Sequence, residues 1–123
     1  MINSAEVIKA LNEIRAAIDK DVIDVDIDSV KNKLLALTQF MGRSAEANAS
    51  AKKILQQKEL SVMLSMDKSL PPSMQAKLLN AQCWEENAMY EYADRLNSAL
   101  VHTIDGLRTV ISLYKTEMDN SLK

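Results

Sequence analysis

The chain has 123 residues, 47% of them hydrophobic, 26% charged and only 4% aromatic, with a formal net charge of −2. That is the length of one domain, with enough apolar content for a core, which excludes a disordered tail. Two glycines and two prolines cannot supply the regular turns of a β-sandwich or barrel, and the single cysteine, Cys83, excludes an internal disulfide and a multi-cysteine zinc site.

Good helix formers dominate the rest, so the expected fold is all-α. Met1 to Ala10 reads as a helix start, with no basic region leading into an apolar run. Uninterrupted apolar runs fall far short of the roughly 20 residues of a membrane span. The expectation is a single-domain cytoplasmic protein without membrane contact.

The first element is a helix over about 4–20. Asn3 with Glu6 fits a capping-box-like start, and Val7, Leu11, Ile14 and Ile18 place one apolar stripe on one face. An acidic linker over 21–28 follows, where alternating aspartates and β-branched residues favour extended chain. Asp28 or Ser29 is the expected N-cap of a second helix over about 29–66. At about 38 residues it measures roughly 57 Å. Pro71 and Pro72 end it in a turn over 67–72, and a third helix runs over about 73–119.

Two helices this long joined by a short turn lie antiparallel, as a long helical hairpin to which the first helix is an addition. A turn centred near Ser69 and Leu70 pairs Leu55 with Trp84. It also pairs the small residues of Gly42–Ala51 with a stretch containing Met89, Tyr90 and Tyr92, so that small faces large. The seam of the third helix is Met89, Ala93, Leu96, Leu100, Ile104, Leu107, Ile111, Tyr114 and Met118. The first helix, tied to the open end by its linker, is expected over Val30–Met41 and Leu96–Leu113. That leaves Leu60, Met63, Leu64, Met66, Leu70, Met74, Leu78 and Leu79 at the turn end as a candidate oligomer interface. Pairing two hairpins into a helical bundle would bury it, so a homodimer or higher homo-oligomer is expected.

Charge is unevenly spread. Residues 1–28 carry three basic and seven acidic side chains, net −4; residues 29–77 carry eight and three, net +5; residues 78–123 carry four and seven, net −3. Arg43, Lys52 and Lys53 are the expected ion-pair partners of Glu85, Glu86, Glu91 and Asp94. Arg43, Lys52, Lys53 and Lys58 are also the candidate nucleic-acid contacts, although they form no single stripe and no aromatic residues interleave them.

No chemical motif is complete. Asp24, Asp26 and Asp28 match the start of a calcium loop, but Ser29 stands at the glycine position and Leu35 at the bidentate glutamate. His102 lacks the Glu three residues before it that a di-iron bundle requires. Cys83 and His102 are roughly 28 Å apart on one helix, too far for a nucleophile and its base. No catalytic residue, metal site or cofactor is expected. Gly42 and Gly106 are lone helix glycines, expected to permit close approach of the first helix.

From Arg43 onward, Ser44-Ala-Glu-Ala-Asn-Ala-Ser-Ala51, a polar connection and Leu107-Arg-Thr-Val-Ile-Ser-Leu-Tyr-Lys115 resemble small all-helical accessory proteins of bacteriophage and prophage recombination-replication modules. The resemblance implies a role beside single-strand annealing proteins or nucleases and brings no catalytic residues. The functional expectation is a non-enzymatic helical interaction or scaffold protein acting through a protein partner. The alternative is a DNA-associated accessory factor that uses the basic second helix.

Overall fold

The computed structural model describes residues 2–21 and 26–121, and among these every regular element is a helix. They are α1 (Ser4–Asp19), α2 (Ile27–Gln39), α3 (Met41–Ser65), α4 (Pro72–Gln82) and α5 (Trp84–Ser121). The all-α expectation holds.

Local chemistry explains the boundaries. The Asn3 side chain accepts a hydrogen bond from the Glu6 amide at 2.9 Å and caps α1. Asp26, rather than Asp28 or Ser29, caps α2, with its side chain accepting from the Asp28 amide at 3.1 Å. The aspartate nearest the helix start that keeps extended backbone takes the capping role; Asp28 already lies inside the first turn, where its charge suits the helix dipole. The expected single second helix divides at Phe40. The Phe40 amide reaches back to the Leu37 carbonyl at 3.0 Å, a tight turn, and the Thr38 hydroxyl bonds the Leu34 carbonyl at 2.7 Å, a back-bond of the kind that bends helices. The third helix is interrupted more gently at Cys83. The Cys83 amide still donates to the Leu79 carbonyl, and its own carbonyl accepts from Asn87, so α4 and α5 form one arm.

At the turn, Asp67 accepts from the Ser69 amide at 2.9 Å and the Ser69 hydroxyl at 2.7 Å, a side-chain-closed turn. Lys68 Nζ donates to the Met63 carbonyl at 3.0 Å, sharing that acceptor at the end of α3 with the Met66 amide. Pro72 opens α4 at the position where a missing amide costs nothing.

The α3 and α4–α5 arms lie antiparallel. Ser44 Oγ donates to Asn97 Oδ1 at 2.9 Å, and Asn48 Nδ2 to Asp94 Oδ1 at 3.5 Å. Both pairings sit two to three residues further along α5 than a turn-centred register gives. The interruption at Cys83 lies in the arm that takes the extra residues.

Two apolar clusters form the core, and α1 joins both. The first brings Val7, Ala10 and Leu11 of α1 against Ala47 and Ala51 of α3 and Ala93 and Leu96 of α5. The second brings Ile14 of α1 against Val30 and Leu37 of α2 and Leu100, Ile104 and Leu107 of α5. Fully burying each large aliphatic side chain here is worth about 1.5–3 kcal/mol.

α1 runs antiparallel to α2–α3. The Ile2 amide donates to Ser50 Oγ at one end, while at the other Lys33 Nζ donates to the Ile18 and Lys20 carbonyls at 2.8 Å each. It therefore lies nearer the middle of the hairpin than expected, over the small residues Ser44, Ala47, Ser50 and Ala51, all buried. A third helix lies against those small residues, and Met89, Tyr90 and Tyr92 of α5 pack against the same cluster, so the small stretch of α3 meets both α1 and the large side chains of α5. The seam of α5 is buried from Ala93 to Leu107 and partly at Ile111. Tyr114 and Met118 are exposed, against expectation, because they lie past the second cluster.

Candidate interaction surface

α1 touches α2, α3 and α5 but not α4. The turn end is therefore two helices thick, and the apolar residues there divide into two sets. Met66, Leu70 and Leu78 are half-buried and surround the buried Val62 in a shallow depression inside the tip. Leu79, also half-buried, lines a neighbouring groove with Leu55, Cys83 and Trp84. Leu60, Met63, Leu64 and Met74 remain exposed, Leu64 at 75% and Leu60 at 58%. Leu60, Met63 and Leu64 share one face of α3 by their spacing. A leucine three-quarters exposed on a helix with no third neighbour offers its apolar area to solvent or to a partner, and burying it favours the partner by about 25 cal/mol per Å².

The indole of Trp84 is 64% exposed at the start of α5 and belongs to the same end of the molecule. Pairing it with Leu55 in the sequence placed it inside the hairpin; both do line one groove, but the ring faces outward. Ile8 of α1 is also about half exposed, lying one residue past the buried Val7 on the helix.

The candidate nucleic-acid contacts separate. Arg43 Nη1 pairs with Glu13 Oε2, and the guanidinium carbon lies 5.7 Å from the centre of the Phe40 ring. It fastens α1 to α3. Lys52, Lys53 and Lys58 are exposed, and among the described residues none forms an ion pair.

The expected bridges from Arg43, Lys52 and Lys53 to the acidic stretch of α5 therefore do not form. Glu91 instead lies 4.0 Å from Arg95 on its own helix and accepts from Asn87. Asp94 meets Asn48, and Glu86 Oε2 is buried with no donor among the described residues. The shift in register and the α1–α3 pairing of Arg43 account for the difference.

The chemical candidates stay apart. His102 is exposed, and its neighbour Asp105 pairs with Arg108 at 3.7 Å. Cys83 is buried; burial pushes its thiol up, and the nearby Glu59 and Glu86 carboxylates push the same way. Of the acidic triplet, Asp24 lies outside the described residues and Asp26 is engaged as a cap. Among the described residues no group of three or more acidic, His or Cys side chains could hold a metal ion. A methyl group added at Gly42 or Gly106 would meet nothing within 4 Å, so neither glycine serves close approach. No helix among the described residues is long and apolar enough to cross a membrane. The chain matches no protein-family model, no curated protein and no solved structure.

Proposed function

We propose that the protein is a non-enzymatic helical interaction protein that self-associates and presents helix faces to a protein partner. The observation that carries this reading is the exposed apolar face of Leu60, Met63 and Leu64 near the end of α3, with Met74 also exposed on α4, a helix that α1 does not touch. Exposed apolar residues sharing one helix face are the ordinary mark of an interface, and helix faces are its ordinary material. The setting suggested by the sequence resemblance is accessory work in phage-type recombination or replication. Light scattering across a concentration series tests the reading. The expected mass exceeds one chain and falls to one chain on Leu64→Asp. A native chain that stays monomeric at high micromolar concentration overturns it.

A second reading, contact with DNA, draws on Lys52, Lys53 and Lys58, which are exposed and, among the described residues, outside ion pairs. Its cheap test is single-stranded DNA binding at low salt, where phosphate contacts are strongest. Absence of binding there removes it.

A further inference from the structure

Tryptophan is on average a well-buried side chain, and where it stays open to solvent it serves contacts between molecules more often than other residues do. Trp84 is the one tryptophan of the chain and is 64% exposed. It walls a groove of about 410 Å³, within the range of ligand sites, roughly 300–1,000 Å³. Half-buried Leu55 and Leu79 with buried Cys83 supply an apolar floor. Trp84, Asn87 and Glu91 follow one another at helical spacing along α5, and Glu59 lines the groove from α3.

Both charged residues of the lining are carboxylates. Among the described residues Glu59 forms no ion pair or hydrogen bond. Glu91 has distant partners on its own helix, Asn87 Nδ2 at 3.4 Å and Arg95 at 4.0 Å, an arginine whose side chain is 82% exposed. Lys58, Glu85 and Glu86 line a separate groove. Counted together, four carboxylates against Lys58 and Arg95 leave this neighbourhood at net −2. An apolar partner would bury the groove's carboxylates without donors, and a phosphate backbone would meet like charge. Arg43 shows which group suits walls of this kind: its guanidinium carbon lies 5.7 Å from the centre of the Phe40 ring while it pairs with Glu13. No cation of the described residues lies over the Trp84 indole in that way.

We propose that this groove binds an arginine side chain presented by a basic segment of a partner protein. A planar guanidinium stacks on the indole face and forks to a carboxylate, which an ammonium cannot do, and its methylene stem lies along Leu55 and Leu79. The site goes beyond the self-association proposed above and stands whether or not the chain pairs. At 3.6 residues per turn, Leu60 and Leu64 point roughly 100–180° around α3 from Leu55 and Glu59, with Met63 between them.

The sole tryptophan is the probe. Full-length protein is titrated at low salt with a short end-blocked peptide carrying two arginines, with its lysine and neutral citrulline counterparts, and with the free diamine putrescine, which matches the charge. A saturable change in Trp84 emission is expected with the arginine peptide, in the native chain and in Leu64→Asp alike. Binding is expected to be several-fold weaker with lysine and at least about tenfold weaker with citrulline, which keeps the shape and loses the charge. Glu59→Gln and Glu91→Gln are each expected to weaken it about tenfold with unchanged circular dichroism, while Glu117→Gln, far along α5, leaves it unaltered. No saturable change at millimolar peptide, citrulline binding as tightly as arginine, or native-like binding by both groove variants overturns the proposal. Putrescine binding as tightly as the arginine peptide also overturns it, in favour of a free polyamine. A response lost in Leu64→Asp does the same, because it places the effect at the self-associating face.

Discussion

A single methyl group tests how the glycines are read. Gly106 lies mid-helix with open space where its Cβ would be, so it carries the entropic cost of glycine without a packing reason for it. Gly106→Ala is expected to stabilise the fold by about 1 kcal/mol and to raise Tm by several degrees in a thermal melt; a close-approach role would lower it instead. Ser44 presents the opposite case. Fully buried, it donates to Asn97 across the arms, and Ser44→Ala is expected to cost about 1 kcal/mol in denaturant unfolding, chiefly by leaving a half-buried amide oxygen unpaired. Single residues were the least legible part of the sequence. Periodicity says which side of a helix faces inward but not which side chain waits there. Arg43 therefore read as a partner of the acidic stretch of α5 or as a nucleic-acid contact, although it fastens α1 through Glu13 and packs over Phe40.

The elements themselves were far easier to read, because their signals are local. Asn3 and the two prolines mark ends that need no tertiary knowledge, whereas the breaks at Phe40 and Cys83 fall inside runs of helix formers and left no such mark. Where α1 lies along the hairpin depends instead on contacts such as Lys33 to the Ile18 and Lys20 carbonyls. That lysine occupies the place of a C-terminal cap, where a cation meets both orphan acceptors and the negative end of the helix dipole. Lys33→Ala is expected to cost about 1–2 kcal/mol and to loosen α1 first, seen as faster amide exchange in its last turn than in α5. The turn has its own sensitivity. Hydrogen bonds from the Ser69 hydroxyl and amide hold the Asp67 carboxyl below its ordinary range. Its ionised form is thus favoured when the turn is closed: the stabilisation is present above the ordinary carboxylate pKa of about 4 and is lost as pH falls through the lowered value. Exchange of the Ser69 amide is expected to accelerate across that acid window, after correction for intrinsic rates, and Asp67→Ala to abolish the pH dependence.

Across the whole molecule, stability is expected to be uneven. One end has three helices around two buried clusters, while the other has two helices around Val62 and Cys83. Regions with few buried apolar contacts open below the global free energy, and Cys83 reports on such opening because its thiol is buried in the thin end. Its raised pKa adds to the protection, since the thiolate is the reactive form. The protonated thiol is favoured when folded, so this contribution is whole below the ordinary thiol pKa of about 8.5 and fades as pH rises through the raised value. Alkylation of the native protein is therefore expected to be much slower than that of a free thiol and to follow turn-end opening. Leu78→Ala, at the half-buried tip, should speed labelling several-fold with little change in Tm. Leu100→Ala, in the three-helix end, should lower Tm strongly, by about 2–5 kcal/mol of stability, while the rate of labelling at low temperature changes little. Were labelling and melting to move together in both variants, the molecule would be one cooperative unit. The same labelling connects stability to association: a copy seated on the turn end must slow it, so a rate that falls with protein concentration would place self-association at the thin end of the hairpin.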